Sequence, residues 1–268
     1  MEILQAIILG ILEGFTEFLP ISSTGHLIVA EDLMGYKDTA EIFTVVIQMG
    51  AIAAVLWFYR KDLIEKIAGL IKRDKKIVTF WLCWVIATIP AGLAALILKD
   101  QISKYAVVST VGVTMIVGGV IIWLIENYHT PARNNSDEPK FESLKIKQAL
   151  QVGLYQMIAL IPGVSRSGAT IMGGLLSGLD RVTATAFSFY LSIPILILAG
   201  SYQLIKGWDE LDTVSGGGTA LLVGTISAFI TALIAINWLL KYVSKHDFKI
   251  FAYYRIIVGI IILLAVWL

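Results

Sequence analysis

Two glutamates one helical turn apart are the first side chains in this chain with the potential for chemistry. Glu13 and Glu17 stand in an otherwise apolar stretch of Ile, Leu, Phe and Gly, and residues four apart lie on one face of a helix. Two carboxylates in a low-dielectric environment repel each other unless a cation binds between them or one is protonated. The pair therefore indicates either a divalent cation, Mg2+ or Ca2+, or an acid/base function. Two glutamates on the wet face of an amphipathic helix are the alternative.

A cluster of hydroxyl groups and a histidine follows these glutamates. Pro20 ends the first helix, and Ser22, Ser23 and Thr24 come immediately before the next one. Hydroxyls and free amides at a helix start bind anions. His26 is placed to take the proton of Ser23 or to hold a phosphoryl oxygen. Alternatively, the hydroxyls only cap the helix and the histidine only bonds a neighbouring helix.

A second helix break with hydroxyls occurs in the other half of the chain and adds an arginine. Ser165, Arg166, Ser167 and Thr170 follow Pro162. The planar guanidinium has donors that match the paired oxygens of a phosphate or diphosphate. The alternative is an arginine that extends to a membrane interface.

The two breaks belong to an internal repeat. Residues 5–35 align with residues 148–178 at an offset of 143 positions, with eight identities in 31 positions. Each copy contains one of the polar breaks. Membrane proteins built from two halves with a broken helix in each place their binding site where the breaks meet, so we expect one site formed from both.

Composition and length indicate an integral membrane protein. Of 268 residues, 57% are hydrophobic and only 15% are charged, which is more apolar surface than one globular core can bury. Each apolar run is close to the roughly 20 residues that cross a bilayer as a helix. The runs cover residues 42–58, 77–98, 105–125, 184–205, 218–240 and 250–268.

We therefore predict an all-α integral membrane fold with six transmembrane helices plus two re-entrant helix-loop-helix segments. Because three spans follow each re-entrant segment, the second half is an inverted-topology repeat of the first. The halves, 1–125 and 148–268, form a single membrane domain over 1–268, joined by a mobile cytoplasmic linker at 126–147. Each re-entrant segment could instead be a full crossing pair, which preserves the inversion.

The distribution of basic residues predicts the orientation. Residues 60–76 contain seven Lys and Arg, whereas the equivalent 203–219 contain only Lys206. Summed over the connections, the side carrying the linker holds fourteen Lys and Arg and the opposite side four. Because basic loops stay in the cytoplasm, we expect both termini outside it.

At these residues the chain resembles the undecaprenyl-diphosphate phosphatase family, of the bacitracin-resistance BacA/UppP type. The matching segments are EGFTEFLPISSTGH at 13–26 and PGVSRSGAT at 162–170, with weaker similarity at 187–189 and 254–256. The resemblance covers essentially the whole chain. It implies hydrolysis of undecaprenyl diphosphate to undecaprenyl phosphate and inorganic phosphate, which recycles the lipid carrier for cell-wall synthesis, with the active site on the periplasmic or exterior face of the bacterial inner membrane.

The residue types and the resemblance together predict roles for the residues above. The catalytic set is Ser23, His26, Glu17 and Arg166; the substrate-binding set is Ser22, Thr24, Ser165, Arg166, Ser167 and Thr170; and the metal set is Glu13 and Glu17. Two routes stay open: attack by the serine with the histidine as base or orienting group, or attack by water activated by the histidine or a glutamate.

The expected partners are a lipid diphosphate substrate and the bilayer, with no nucleic acid, and a homo-oligomer is compatible with the sequence. A secondary transporter or lipid-phosphate flippase is the alternative function, because broken helices in inverted halves are common in transporters. Arg255 lies in the last apolar run. Since a charge facing lipid is unfavourable, we expect it to face the bundle interior or an anionic group.

Overall fold

In the computed structural model, helices joined by short connections account for nearly all of the described chain, which comprises residues 2–36, 38, 42–102, 105, 107–129, 138–207, 214 and 216–267. These residues contain no strand, so the all-helical prediction is confirmed. The helices are α1 (Ile3–Thr16), α2 (Ser23–Leu33), α3 (Ile42–Phe58), α4 (Arg60–Ile71), α5 (Lys75–Ile102), α6 (Val108–Tyr128), α7 (Ile146–Gln156), α8 (Arg166–Leu176), α9 (Arg181–Lys206), α10 (Gly217–Val243) and α11 (Lys249–Trp267). Short 3₁₀ turns cover Phe141–Ser143 and Met157–Leu160.

Five helices are long and apolar enough to cross a membrane: α5, α6, α9, α10 and α11. The bent pair α3 and α4 passes the same test when its two helices are taken together, which gives up to six spans within the described residues. The sequence predicts six spans. The described residues contain five, or six if α3 and α4 are counted as one span.

The helices that flank the two breaks are short. α1 has 14 residues, and α2, α7 and α8 have 11 each. Each is well below the roughly 20 residues that a perpendicular crossing needs. The two breaks therefore lie within hairpins of short helices.

The two hairpins have the same local structure, 143 positions apart. At the start of α1 the amide of Glu2 donates to Gln5 (2.8 Å), and at the start of α7 the amide of Lys145 donates to Gln148 (3.0 Å). The same glutamines then donate to the carbonyls at the ends of α2 and α8, on Met34 and Ser177. The sequence repeat is thus also a structural repeat.

Each hairpin packs against a long helix of the other half. α1 packs against α10 and α7 against α5, while α6 packs against α11. Glycines permit the close approach, since a Cβ on Gly10 would lie 2.3 Å from the carbonyl oxygen of Gly224 and one on Gly153 would lie 2.6 Å from that of Ala87. Small residues at such crossings let helix backbones come together.

α9 is the most buried of the five long helices, with 72% of its apolar window inside the protein. Phe187, Phe189 and Tyr190 on this helix are almost completely buried. The ring of Phe18, which lies in the first break, meets Phe189 edge-on at 5.5 Å. This aromatic contact fixes the first break against the centre of the bundle.

The ends of the predicted mobile linker at 126–147 are helical in the described residues, and its mobility stays a prediction. α6 continues to Tyr128 and α7 begins at Ile146. Glu126 is buried and accepts a hydrogen bond from Arg181 (3.1 Å), which ties this end to α9. Residues 130–137 lie outside the described residues.

The close crossing of α1 and α10 gives a test. We expect Gly10→Ala to lower the free energy of unfolding by about 1–3 kcal/mol, because the added methyl group forces the helices apart. The measurement is thermal unfolding of the purified protein in detergent.

Gly92→Ala is the matched control, because a Cβ at Gly92 in α5 meets no atom within 4 Å. It should be neutral or slightly stabilising, since alanine favours helix more than glycine does. Equal destabilisation by both variants would contradict the packing argument.

Candidate active site

Each break ends at a serine with an unusual backbone conformation. Ser22 has φ 73° and Ser165 has φ 75°, in the left-handed region that L-residues rarely adopt. Each side chain caps the next helix, accepting from the amide of Gly25 at 3.3 Å or Gly168 at 3.0 Å. The sharp turn makes Ser23 the first residue of α2 and Arg166 the first residue of α8.

Glu17 joins the two breaks. Its Oε2 accepts a hydrogen bond of 2.5 Å from the hydroxyl of Ser23, and its Oε1 accepts one of 2.9 Å from Nη2 of Arg166. The carboxylate side chain is only 5% exposed and the arginine side chain 11%. Glu17 is therefore in direct contact with Ser23 and Arg166, two other predicted catalytic residues, although 149 positions separate Glu17 from Arg166.

α9 holds the other side of the arginine. Nη1 of Arg166 donates to the carbonyl of Ser188 at 2.9 Å, and the hydroxyl of Ser188 lies 2.6 Å from that of Thr170. Thr170 also donates to the carbonyl of Arg166, one turn earlier in α8. The guanidinium is thus oriented by α9 as well as by the glutamate.

Several predicted substrate-binding hydroxyls make internal hydrogen bonds. Ser167 donates to the carbonyl of Leu19 in the first break (2.7 Å), and its oxygen lies 3.0 Å from that of Ser165. Both side chains are buried, whereas Thr24 is exposed. Ser165 and Ser167 therefore connect the breaks, and Thr24 is the member of this set that solvent reaches most freely.

His26 contacts residues other than Ser23. Its Nδ1 lies 2.7 Å from the carbonyl oxygen of Ser22, so this nitrogen carries the proton and donates. Its Nε2 lies 2.7 Å from the hydroxyl of Tyr254, and the two rings stack at 5.7 Å. The expectation that the histidine accepts the Ser23 proton is therefore not met in this geometry, because Ser23 donates to Glu17.

Arg255 connects both breaks through backbone carbonyls. The side chain is completely buried and faces the bundle interior, as the sequence indicated. It makes five hydrogen bonds of 3.0–3.3 Å. The acceptors are the carbonyls of Pro20 in the first break, Gly163 and Val164 in the second, and Thr114 and Met115 in α6.

Glu13 is the buried acid of the site. It is 1% exposed, and neither carboxylate oxygen makes a hydrogen bond, although Gln48 approaches it. Glu17 and Arg166 lie within electrostatic range of it. A buried carboxylate with unpaired oxygens is a good hard-cation ligand.

The donor set fits a cation that shares its coordination with substrate. Among the described residues, no group of three or more His, Cys, Asp or Glu is placed to hold a metal ion. Mg2+ is commonly bound by one or two carboxylates together with water and substrate phosphate oxygens, and Glu13 and Glu17 can supply those carboxylates.

A family model described as "Bacitracin resistance protein BacA" matches residues 6–261. The chain belongs to this family. It is 46% identical over 268 residues to undecaprenyl-diphosphatase 1 of Burkholderia cenocepacia, covering 98% of this chain and 95% of the relative. It is 45% identical to the undecaprenyl-diphosphatase of Methylobacillus flagellatus (99% and 98% covered) and 42% identical to that of Neisseria gonorrhoeae (99% and 96% covered). With the apolar helices, this family membership makes the chain a multi-pass bacterial membrane protein.

Two features of this BacA family site were not assigned a role by the sequence argument. Ser188 and Tyr254 fall in segments of only weak resemblance, and each contacts a predicted site residue. Ser188 contacts Thr170, 18 positions away, and Tyr254 contacts His26, 228 positions away. Ser188 lies between two phenylalanines and Tyr254 lies next to Arg255, and neither position is diagnostic in itself. Polar residues within apolar runs are more often interhelical hydrogen bonders.

Arg255→Leu tests the connection between the breaks. We expect it to lower the free energy of unfolding by several kcal/mol, since it leaves buried carbonyls without donors and each such group costs about 1–3 kcal/mol. The measurement is thermal unfolding in detergent.

Arg60→Leu is the control, because Arg60 is exposed and lies on α4. It should shift the midpoint little. A near-normal midpoint for Arg255→Leu would contradict the role given to this residue.

Proposed function

We propose that the protein is an undecaprenyl-diphosphate phosphatase that hydrolyses the lipid diphosphate to undecaprenyl phosphate and inorganic phosphate. The observation that carries the proposal is Glu17 accepting hydrogen bonds from both Ser23 and Arg166 across the two breaks. A hydroxyl paired with a buried carboxylate is a nucleophile beside its base. A guanidinium beside it supplies donors for phosphate oxygens. The names of the relatives support the same substrate.

In the proposed mechanism, Glu17 takes the proton of Ser23 as the serine oxygen attacks the terminal phosphorus. The bond between this phosphorus and the bridging oxygen breaks, and undecaprenyl phosphate leaves. Water then attacks the phosphorus of the phosphoserine, the bond to the serine oxygen breaks, and Glu17 returns its proton to that oxygen. Inorganic phosphate leaves with the OH and the remaining proton of the water. This assignment replaces His26 with Glu17 as the base, because the short hydrogen bond joins Ser23 to the glutamate.

Arg166 has two tasks in this scheme. Its Nη1 stays on the Ser188 carbonyl, which keeps the guanidinium oriented, while Nη2 turns from Glu17 to a phosphoryl oxygen and neutralises charge as the anhydride bond breaks. When the guanidinium turns to the phosphate, the Glu17 carboxylate is released from this ion pair and can act as the base. Substrate binding and activation of Ser23 are thus coupled.

A divalent cation held by Glu13 and Glu17, when bound, would neutralise charge on the diphosphate and its leaving group. Glu13 fits this role because its buried oxygens make no hydrogen bond.

Attack by water activated by a glutamate or by His26 is the rival route. Isolation of a labelled phosphoserine at Ser23 separates the two.

The proposed topology is an inverted repeat with both breaks re-entrant, so that they meet inside the bundle. Support comes from the shared structure of the hairpins, their short helices and the excess of basic residues at 60–76 over 203–219. By the same rule of basic cytoplasmic loops, both termini are outside the cytoplasm. We place the site's opening on the outer face of the inner membrane, where it recycles the lipid carrier for cell-wall synthesis.

Conservative variants of the three central residues test the catalytic assignment. Ser23→Ala, Glu17→Gln and Arg166→Lys should each reduce phosphate release by at least about 100-fold, since each removes nucleophile, base or bidentate donor. The measurement is phosphate released from a prenyl diphosphate by purified protein in detergent.

Matched controls are Ser201→Ala, Glu65→Gln and Arg60→Lys, whose side chains are exposed and remote in sequence from the breaks. They should retain normal rates with unchanged unfolding midpoints. No phosphate release by the wild-type protein would favour the transporter alternative. Full activity of Ser23→Ala would exclude a covalent intermediate on that residue.

The stacked pair of Tyr254 and His26 gives a further prediction. Tyr254→Phe removes the hydroxyl that donates to Nε2 of the histidine but keeps the ring. We expect about a 5- to 30-fold loss of kcat with an altered pH profile, as for a lost hydrogen bond of about 1–2 kcal/mol.

Tyr253→Phe, at the exposed neighbouring residue, is the control and should leave the pH profile unchanged. An unchanged profile for Tyr254→Phe as well would show that the tyrosine does not act through the histidine.

A further inference from the structure

α4 turns sharply away from α3. The two helices meet at Tyr59 with a bend of 68°. α3 has 17 residues, which is about 26 Å of helix and close to the ~30 Å thickness of the hydrocarbon layer. α4 begins with Arg60, Lys61 and Asp62. Because three charges open this helix, α4 does not continue the span of α3 through hydrocarbon.

One face of α4 is anchored to the bundle. Gly69 is buried, and a Cβ there would lie 2.0 Å from Cδ1 of Ile77 in α5. Lys66 is 12% exposed and forms an ion pair of 2.5 Å with Asp62. Its ammonium lies 5.0–5.7 Å from three aromatic rings, those of Phe80, Phe141 and Tyr190. This side of the helix is therefore fixed in orientation.

The opposite face of α4 is apolar and exposed. Ile64, Ile67 and Ile71 are 66%, 51% and 78% exposed, respectively. At 100° per residue these three side chains fall within one narrow stripe. The stripe points away from Gly69 and Lys66, so within the described residues no part of the bundle covers it.

Exposed cations flank this apolar stripe. Lys61, Lys72 and Arg73 are all exposed, and residues 60–76 contain seven Lys and Arg against three Asp and Glu, a net charge of +4 (7 − 3). The guanidinium of Arg60 lies 4.5 Å from the ring of Trp57, which is 55% exposed. Exposed Trp and Arg at a helix end are typical of the membrane interface.

We propose that α4 lies in the headgroup layer of the bilayer and binds anionic phospholipid. The isoleucine stripe enters the acyl region, and Lys61, Lys72 and Arg73 meet the lipid phosphates. With α3 near the membrane normal, the 68° bend leaves α4 about 22° (90 − 68) from the membrane plane. A fixed amphipathic helix of net positive charge has the chemistry that anionic headgroups attract. The inference does not depend on the catalytic proposal.

Spin labels measure the depth of the two faces. In a Cys83→Ser background, nitroxide labels at Ile67→Cys and Glu65→Cys are placed on the stripe and beside it, and the protein is reconstituted into phospholipid nanodiscs. The label at position 67 should be more accessible to oxygen than to a water-soluble nickel chelate. The label at position 65 should show the reverse. Equal exposure of both labels to the chelate would overturn the proposal and would leave the stripe to a soluble partner.

Lipid selectivity is tested with charge-neutral variants. Thermal unfolding is compared in nanodiscs of phosphatidylcholine with and without phosphatidylglycerol. The wild-type midpoint should rise with phosphatidylglycerol, and the triple variant Lys61→Gln/Lys72→Gln/Arg73→Gln should lose most of that rise.

The control removes the same charge elsewhere. Lys145→Gln/Lys147→Gln/Lys245→Gln changes three exposed lysines outside α4 and should keep the rise. The proposal is wrong if the control loses as much as the α4 variant, or if wild-type protein shows no preference for phosphatidylglycerol. Phosphate release measured in parallel keeps this result separate from the catalytic assignment.

Discussion

Backbone carbonyls at the two helix breaks impose the main constraint on this fold. A break inside an apolar bundle exposes carbonyl oxygens where water is scarce, and such groups must find donors within the protein. Arg255 donates three hydrogen bonds to these carbonyls, and two more to α6, from one completely buried side chain. The two breaks can lie side by side because a single guanidinium satisfies both.

The hydroxyl groups complete the connection between the breaks. Ser167 donates to Leu19 across the break, while Ser22 and Ser165 cap the two following helices from a strained backbone conformation. Strain of this kind persists only where the surroundings over-determine the backbone. The result is that Ser23 and Arg166 start their helices in fixed positions, and Glu17 meets both.

The sequence was sufficient for the helical class and for the two breaks, and it singled out Glu17, Ser23 and Arg166, which the structure brings into contact. Apolar runs and an internal repeat carry that information directly, since both follow from the sequence alone. The partners of these residues were harder to predict. Spacing suggested His26 as the partner of Ser23, but the positive φ of Ser22 turns the chain so that Ser23 meets Glu17.

Arg255 shows why the remainder could not be predicted. Its burial followed from its position in an apolar run, but its acceptors are main-chain carbonyls, which every residue possesses and which leave no pattern in a sequence. The contact between Tyr254 and His26 likewise depends on how α11 and α2 both pack against α6. The contact of Glu126 at the start of the linker leaves no pattern for a similar reason, because its partner is an arginine 55 positions away.

The double occupation of Glu17 has a consequence for ligand affinity. With Ser23 on one oxygen and Arg166 on the other, the resting site already contains its own anion. In the proposed function, an incoming phosphate competes with the Glu17 carboxylate for the guanidinium of Arg166, so that phosphate replaces the carboxylate as its partner. The dissociation constant for phosphate then reflects the difference in free energy between two ion pairs, Arg166 with phosphate and Arg166 with Glu17. A variant without the Glu17 carboxylate would bind phosphate more tightly but turn over more slowly.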